Sequence, residues 1–483
     1  MAFVCDKINA VRHWLFIYMS VQVVKKVLSC LRGPMSKLNF LIRKFLNKTI
    51  DGEGCLQFGG SAAAKGISNP SSIRQIGGLK KINSQPFTRH HASVQNAANR
   101  FSLVGFNGSG DNFQKKSMSA TELPRHLAEE MTMLGHLDMR LRLDQDITPS
   151  NPKYTASLSM MASELSYEHG DLVRYMENPC VLDLWNVDNL DQRTTHAIMF
   201  NDKSANLIVV AFRGTSPLDA DAWITDINLE WYTLQGTGNT HRDFMKALGL
   251  KGPDWPKPDN VTDTHHFAQQ PAYYEIAKRL RDQLLLDPEG ETMFIVTGHS
   301  LGGALAILFV GLLAYHDDTW LMKRLEGVYT FGQPGVGDME FTESMNRKIK
   351  EHGLKYLRYV YCNDIVPRLH FDNRTFRSRR FGRCLYLNSC HRGWIVKEEP
   401  NKNYFPWKWL VPKFFNSYWE LIRGFTIHYR RGKEYKEGWF LILLRLLGLV
   451  FPGLSAHSPQ DYVNVTQLGM LPSNLQNIIR QAS

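Results

Sequence analysis

Residues 293–306 read MFIVTGHSLGGALA. Five apolar or β-favouring residues, Met293 to Thr297, run directly into Gly298-His299-Ser300-Leu301-Gly302, and the small residues Gly303 and Ala304 follow. A glycine-x-serine-x-glycine pattern alone is common. Here it closes a strand and opens an apolar helix, the setting of a nucleophile elbow, a tight turn that holds a serine hydroxyl at its tip. Such a turn leaves little room beside the backbone, so Gly298 and Gly302 supply the space, and Gly303 with Ala304 lets the helix lie close to the sheet. Ser300 is then expected at the exposed tip of the turn, above a helix N-terminus that favours a developing negative charge.

Outward from this turn the pattern repeats. Continuous apolar, β-rich runs occur at 207–212 and 356–361, and helical periodicity occurs at 271–286 and 301–316. Apolar strands alternating with helices predict a mostly parallel central sheet with helices on both faces. A serine nucleophile in this architecture needs a base and an orienting acid, in the chain order Ser, acid, His. Asp364, in Cys362-Asn363-Asp364-Ile365-Val366-Pro367, ends an apolar run and precedes a proline that stops further pairing, which places its carboxylate at the sheet's carboxyl edge. Asp338 and Asp372 are its rivals. His457 lies on a late, turn-rich stretch, but His370, His391 and His428 also follow Asp364, and position alone does not choose among the four.

At 483 residues, with 43% hydrophobic and 11% aromatic residues, the chain can bury a large core. Seven cysteines without a C-x-x-C pair give neither a disulfide framework nor a zinc site, and fit a reducing compartment such as the cytosol. The net charge of +11 is local: residues 1–110 hold 15 Lys or Arg against three acids, and the remainder is close to neutral. A nucleic-acid-binding body is thereby excluded as a reading, and the basic arm suits an acidic surface or an import receptor. Residues 1–50 mix apolar runs with Lys and Arg and read as an amphipathic surface segment, too interrupted for a membrane span. Residues 51–134, rich in Gly, Ser, Asn and Gln, read as a flexible linker, and the folded domain as 135–483. The arm also has the composition of an organelle transit peptide, which makes a plastid the alternative location.

The segments VVAFRGTSPLDADAWITD (209–226), TGHSLGGALA (297–306), YTFGQPGVGD (329–338), NDIVPRL (363–369) and AHSPQDYV (456–463) resemble, in order and local form, the class 3 lipases, the family of the fungal triacylglycerol lipases. Over about residues 135–470 the likeness is nearer to the plant oil-body triacylglycerol lipases. The resemblance implies an α/β-hydrolase fold and a Ser300-Asp364-His457 triad, and so settles the choice of histidine. It implies an oxyanion hole from the Leu301 backbone N–H and Thr215, and a lid at 217–227 with Trp223, Ile224 and Ile227 on its apolar face. No metal or organic cofactor is implied. The implied activity is hydrolysis of acyl esters of neutral lipid at a droplet or membrane surface. A phospholipid or galactolipid acyl hydrolase, or a non-catalytic lipid-surface protein, is the alternative. One departure stands out: the stretch between Asp364 and His457 is longer than in the fungal relatives and contains YFPWKWL (404–410) and WFLILLRLL (439–447). Tryptophans among Lys and Arg suit the headgroup level of a lipid surface, so residues 371–455 are expected to be a membrane-interacting insertion.

Overall fold

The computed structural model describes residues 140–472 apart from 141–142, 169–179, 187–188, 217–229, 251–270, 288, 369–379, 402–408 and 451, together with scattered helical positions between 26 and 40. The expected linker at 51–134 and nearly all of the N-terminal segment lie outside the described residues.

In chain order the strands are β1 (Cys180–Asn186), β2 (Asn189–Asp202), β3 (Leu207–Phe212), β4 (Trp231–Leu234), β5 (Gly238–His241), β6 (Met293–His299), β7 (Leu325–Phe331), β8 (Lys355–Tyr361), β9 (Arg383–Leu387) and β10 (Gly393–Val396). Eight of them form one sheet in the order β1-β2-β3-β6-β7-β8-β9-β10, and β4 pairs with β5 separately. From β3 to β9 every neighbour is parallel, while β1, β2 and β10 add antiparallel edges. The expected parallel sheet is thus present, and its runs at 207–212, 293–297 and 356–361 are β3, the body of β6 and most of β8.

These strands are apolar throughout because both faces are covered. Ile208, Val210 and Phe212 of β3 face one core, shared with α2 (Ala272–Leu284), α3 (Leu301–Tyr315) and α4 (Met339–Glu351). Leu207, Val209 and Ala211 face a second core, shared with α1 (Tyr154–Leu165) and with α7 (Pro459–Leu468) near the C-terminus. The helix α3 is buried on every side, which is why its sequence lacks a polar stripe.

Register brings the carboxyl ends of the central strands together. Phe212 of β3 pairs with Gly298 of β6, Gly298 with Thr330 of β7, and Phe331 of β7 with Tyr359 of β8. The turns that follow β3, β6, β7 and β8 therefore emerge side by side. The stretch expected to be an insertion at 371–455 proves composite. Its first part supplies β9 and β10, with Cys384, Leu385 and Leu387 buried in the sheet. Its later part forms the helices α5 (Leu410–Arg431) and α6 (Trp439–Gly448) and a single turn at Pro452–Ser455.

Candidate active site

Ser300 sits at φ 59° and ψ −129°, a conformation a serine adopts only when its surroundings enforce it, at a cost of ~1–3 kcal/mol. Its N–H donates to the Phe331 carbonyl at 2.9 Å, and its carbonyl accepts from Gly303 N–H at 3.0 Å. The two outer glycines are sterically required. A Cβ on Gly298 would stand 2.2 Å from the Gly302 carbonyl carbon, and one on Gly302 would stand 2.1 Å from the Phe212 oxygen.

Asp364 follows β8 through a turn in which Cys362 takes φ 40° and the Asp364 N–H donates to Tyr361 O at 2.9 Å. The carboxylate is fully buried. Its Oδ1 accepts from Val366 N–H at 2.9 Å, and its Oδ2 accepts from the Tyr462 hydroxyl at 2.5 Å and from His457 Nδ1–H at 2.8 Å. Arg368 fixes the turn from behind, donating to the carbonyls of Asp364 and Cys362. On the other ring nitrogen, His457 Nε2 accepts from the Ser300 hydroxyl at 2.8 Å. Ser300, His457 and Asp364, drawn from three separate turns, thus form one continuous hydrogen-bonded relay. Ser300 is 2% exposed rather than open to solvent as expected, its hydroxyl being taken up by His457.

His299, read in the sequence only as part of the elbow, has a second position in this arrangement. Its ring lies against that of His457 with centroids 4.6 Å apart. Burial, reinforced by the neighbouring His457, holds its imidazole well below the usual histidine range. The neutral ring donates through Nε2–H to the His457 carbonyl at 3.1 Å and accepts the Tyr167 hydroxyl on Nδ1 at 2.9 Å. Tyr167, Tyr462 and Gly332 were not singled out by sequence. Gly332 has φ 59°, and a Cβ there would stand 2.8 Å from Asp364 Oδ2 and 2.9 Å from His457 Cε1. Tyr462 was visible as the tyrosine of AHSPQDYV, five residues beyond the histidine. Nothing in the local sequence marks Tyr167.

Thr215 is buried just beyond β3, beside the elbow: the preceding Gly214 approaches the His299 carbonyl so closely that a Cβ would stand 2.5 Å from it. Leu301 is half-buried and opens α3. Trp223, Ile224 and Ile227, the expected lid face, lie outside the described residues. Of the rivals, Asp338 caps α4 by accepting from Phe341 N–H at 2.9 Å. His391 lies tilted near Tyr361, ring centroids 6.4 Å apart, burial pushing its imidazole down to about 3. His428 lies on α5, and His370 and Asp372 are outside the described residues.

The turn bearing His457 is anchored by α7. Asp461, fully buried, accepts from Arg423 of α5 at 2.8 Å and from Arg445 of α6 at 3.0 Å, and Arg445 also pairs with both oxygens of Glu437. Burial alone raises the Asp461 carboxyl, but Arg445 and Arg423 outweigh it and hold the group below the usual carboxylate range. Among the described residues no group of three His, Cys, Asp or Glu side chains is placed to hold a metal ion.

A serine hydroxyl bonded to an imidazole, itself bonded to a buried carboxylate, can deprotonate as it attacks a carbonyl. The family model for Lipase (class 3) matches residues 209–374, a range that contains Thr215, Ser300 and Asp364 and stops short of His457. The protein named triacylglycerol lipase OBL1 from Nicotiana tabacum is 37% identical over 417 residues, covering 70% of this chain and 72% of that relative. Its namesake from Arabidopsis thaliana is 41% identical over 341 residues, covering 65% of this chain and 64% of its own length. A chloroplastic phospholipase A1-Igamma2 from Arabidopsis thaliana is 33% identical over 170 residues, 33% of this chain and 30% of the relative. With a relative at 37% identity matched over 72% of its length, the chain belongs to the class 3 lipases.

Proposed function

We propose that this lipase hydrolyses acyl esters of neutral lipid, triacylglycerol foremost, with Ser300 as nucleophile, His457 as general base and Asp364 as the orienting acid. The observation that carries the reading is the unbroken relay, 2.8 Å from Ser300 Oγ to His457 Nε2 and 2.8 Å from His457 Nδ1 to Asp364 Oδ2. His457 takes the hydroxyl proton as Ser300 attacks the ester carbonyl, then returns it to the departing glycerol oxygen, which leaves an acyl-enzyme. Water enters, His457 removes its proton, and the fatty acid leaves with Ser300 restored. The backbone N–H of Leu301 and a donor of Thr215 receive the oxyanion, each worth on the order of 3 kcal/mol. Residues 217–227, with the apolar Trp223, Ile224 and Ile227, serve as the lid in this reading, and the work is done at a droplet or membrane surface. Triacylglycerol as the preferred substrate is supported by the names of the tobacco and Arabidopsis relatives. A second reading, hydrolysis of phospholipid or galactolipid, has its support in the phospholipase A1 relative.

The test is hydrolysis of triolein, diolein, phosphatidylcholine and galactolipid emulsions in parallel, with Ser300→Ala and His457→Ala alongside. Triolein is expected to be cleaved fastest. Each substitution is expected to lower the rate by on the order of a thousandfold or more, with no further loss in the double variant. Faster cleavage of a polar lipid moves the assignment to the second reading. If His457→Ala keeps more than about a tenth of the rate, the base is misassigned.

A further inference from the structure

The helix α5 is built inside out. Its exposed side carries Phe414, Phe415, Tyr418, Ile422, Phe425 and Tyr429, with Phe415 74% and Tyr429 82% exposed. Its buried side carries Lys413, Ser417, Glu420 and Arg423, with Ile427 as the one large apolar side chain among them. Both sets recur every three to four residues, as one helical face requires, but in a helix that simply covers a core the apolar set points inward. The next helix, α6, repeats the inversion in part: Trp439, Leu443, Leu446 and Leu447 are exposed while Arg445 is 1% exposed, although Leu441 is buried beside Tyr167.

Buried charge holds the inverted orientation. Arg423 donates to Asp461, to the Tyr361 hydroxyl at 2.8 Å and to the Ser389 carbonyl at 2.9 Å. Arg445 is caged by Glu437 and Asp461. Rotating either helix to hide its apolar stripe would take these arginines from their carboxylates. Among the described residues the stripe is left exposed, and contiguous apolar patches of this extent are uncommon on soluble monomers.

Charge decides which partner. The described charges exposed on α5, α6 and the segment between them are Arg430, Arg431, Lys433 and Lys436, all cationic. A second copy set on the same patch by two-fold symmetry would bring these cations together. An anionic headgroup layer attracts them, and the tyrosines and tryptophans of the stripe suit that depth. No described helix is long and apolar enough to cross a membrane, so the pair lies along the surface. The apolar face also runs on through exposed Val450 and Leu454, and the Leu454 carbonyl accepts the His457 N–H at 3.2 Å.

We propose that α5 and α6 are a lipid-docking face that seats the chain on an anionic phospholipid layer and brings the His457 turn to that surface. The inference rests on the reading of the site as one that works on lipid, and its test uses no hydrolysis of the docking lipid, so the two can fail separately. The full chain is floated with vesicles of diether phosphatidylcholine, with and without diether phosphatidylserine, and the bound protein is footprinted with hydroxyl radicals. Protection of 411–431 and 439–450 is expected on anionic vesicles. The triple variant Phe415→Ser, Ile422→Ser, Phe425→Ser is expected to bind roughly tenfold more weakly or worse. Replacing Arg430, Arg431, Lys433 and Lys436 by Ser is expected to cost roughly fivefold per cation at low salt. Cleavage of a soluble short-chain ester, unchanged in both variants, certifies the fold. The proposal is overturned if 411–431 stays open to radicals on vesicles that hold the chain through its basic first 110 residues. It is overturned equally if protection appears without vesicles in proportion to protein concentration, the mark of a second copy, or if the triple variant floats as the native chain does.

Discussion

Replacing Tyr462 by Phe removes one hydroxyl and leaves the ring packed against Phe331, Tyr361 and His299. That hydroxyl donates to Asp364 Oδ2 at 2.5 Å and accepts the Tyr361 N–H at 3.1 Å. Burial, with the Asp364 charge beside it, pushes the phenol well above its usual range, so it remains a protonated donor at every working pH. A hydrogen bond to a charged group is worth ~1.5–3 kcal/mol, and a stranded buried N–H costs ~1–3 kcal/mol. Because the two losses share one relaxation, the net destabilisation is expected at about 2–4 kcal/mol, roughly 4–8 °C in Tm for a domain of this size. The effect on catalysis follows from geometry. Asp364 Oδ2 is held between the Tyr462 hydroxyl and His457 Nδ1, so without the phenol the carboxylate is free to turn away from the imidazole. A loss of kcat/KM on a soluble ester of up to about tenfold is expected, since a misplaced orienting group typically costs that much or more. Thermal unfolding and steady-state kinetics read the two effects separately. A native Tm together with native kcat/KM would refute the claim that Tyr462 holds the carboxylate in place.

Gly332→Ala is expected to lower kcat about a hundredfold in a folded protein, because the new methyl presses on both Asp364 and His457 and the position has φ 59°; a kcat within twofold of native would show that the relay tolerates the intrusion. Glu420 is pushed up to about 7 by burial and by Asp461, against the pull of Arg423 and Arg445. A carboxyl raised in the folded state binds its proton there after the unfolded chain has lost it, so stability falls as pH rises from about 4.5 to about 7. Glu420→Gln removes that fall, and its Tm advantage over native should grow by a few degrees across this window, as differential scanning calorimetry can test; an advantage that is flat or shrinks with pH contradicts the assignment.

The parts of the fold that sequence discloses are those whose burial leaves a one-dimensional trace. The strands β3, β6 and β8 are covered on both faces, so their apolar runs are unbroken, and the elbow is legible because its glycines answer a steric demand met within a few residues. The antiparallel edges leave a weaker trace. β2 opens with Asn189, Asp191, Gln192 and Arg193, which leaves only four consecutive apolar residues, Ala197 to Phe200, and β9 has only Cys384 to Leu387; runs this short carry little signal, and 383–396 reads as insertion when it is sheet. The relay is half legible for a related reason. Ser300 and Asp364 are announced by the strands that they end, whereas the base competes with three other histidines after Asp364, and only the return of the chain across the sheet brings His457 to Ser300. Tyr167 reaches the site from 132 residues before His299, and no local pattern can express that contact.

The inverted helices show a different kind of illegibility. Periodicity in 410–431 can announce a helix with two faces, yet it cannot say which face turns inward, because hydrophobicity ranks the faces only when water is the alternative. Here the inner face is chosen by Asp461 and Glu437, which lie outside α5 and offer Arg423 and Arg445 partners that solvent cannot match once the cluster is closed. Breaking such a buried pair by removing one member typically costs ~3–5 kcal/mol, more than the ~1.5–3 kcal/mol gained by burying a single Phe or Leu. The charges can thus hold the orientation against any one apolar side chain, though not against the whole stripe left in water. The stripe's exposure is stable only if another phase covers it. Asp461 lies four residues beyond His457, so the pairs that turn the stripe outward also hold the turn that carries His457, and a change at the docking face that loosens Arg423 or Arg445 reaches the relay through the first turn of α7.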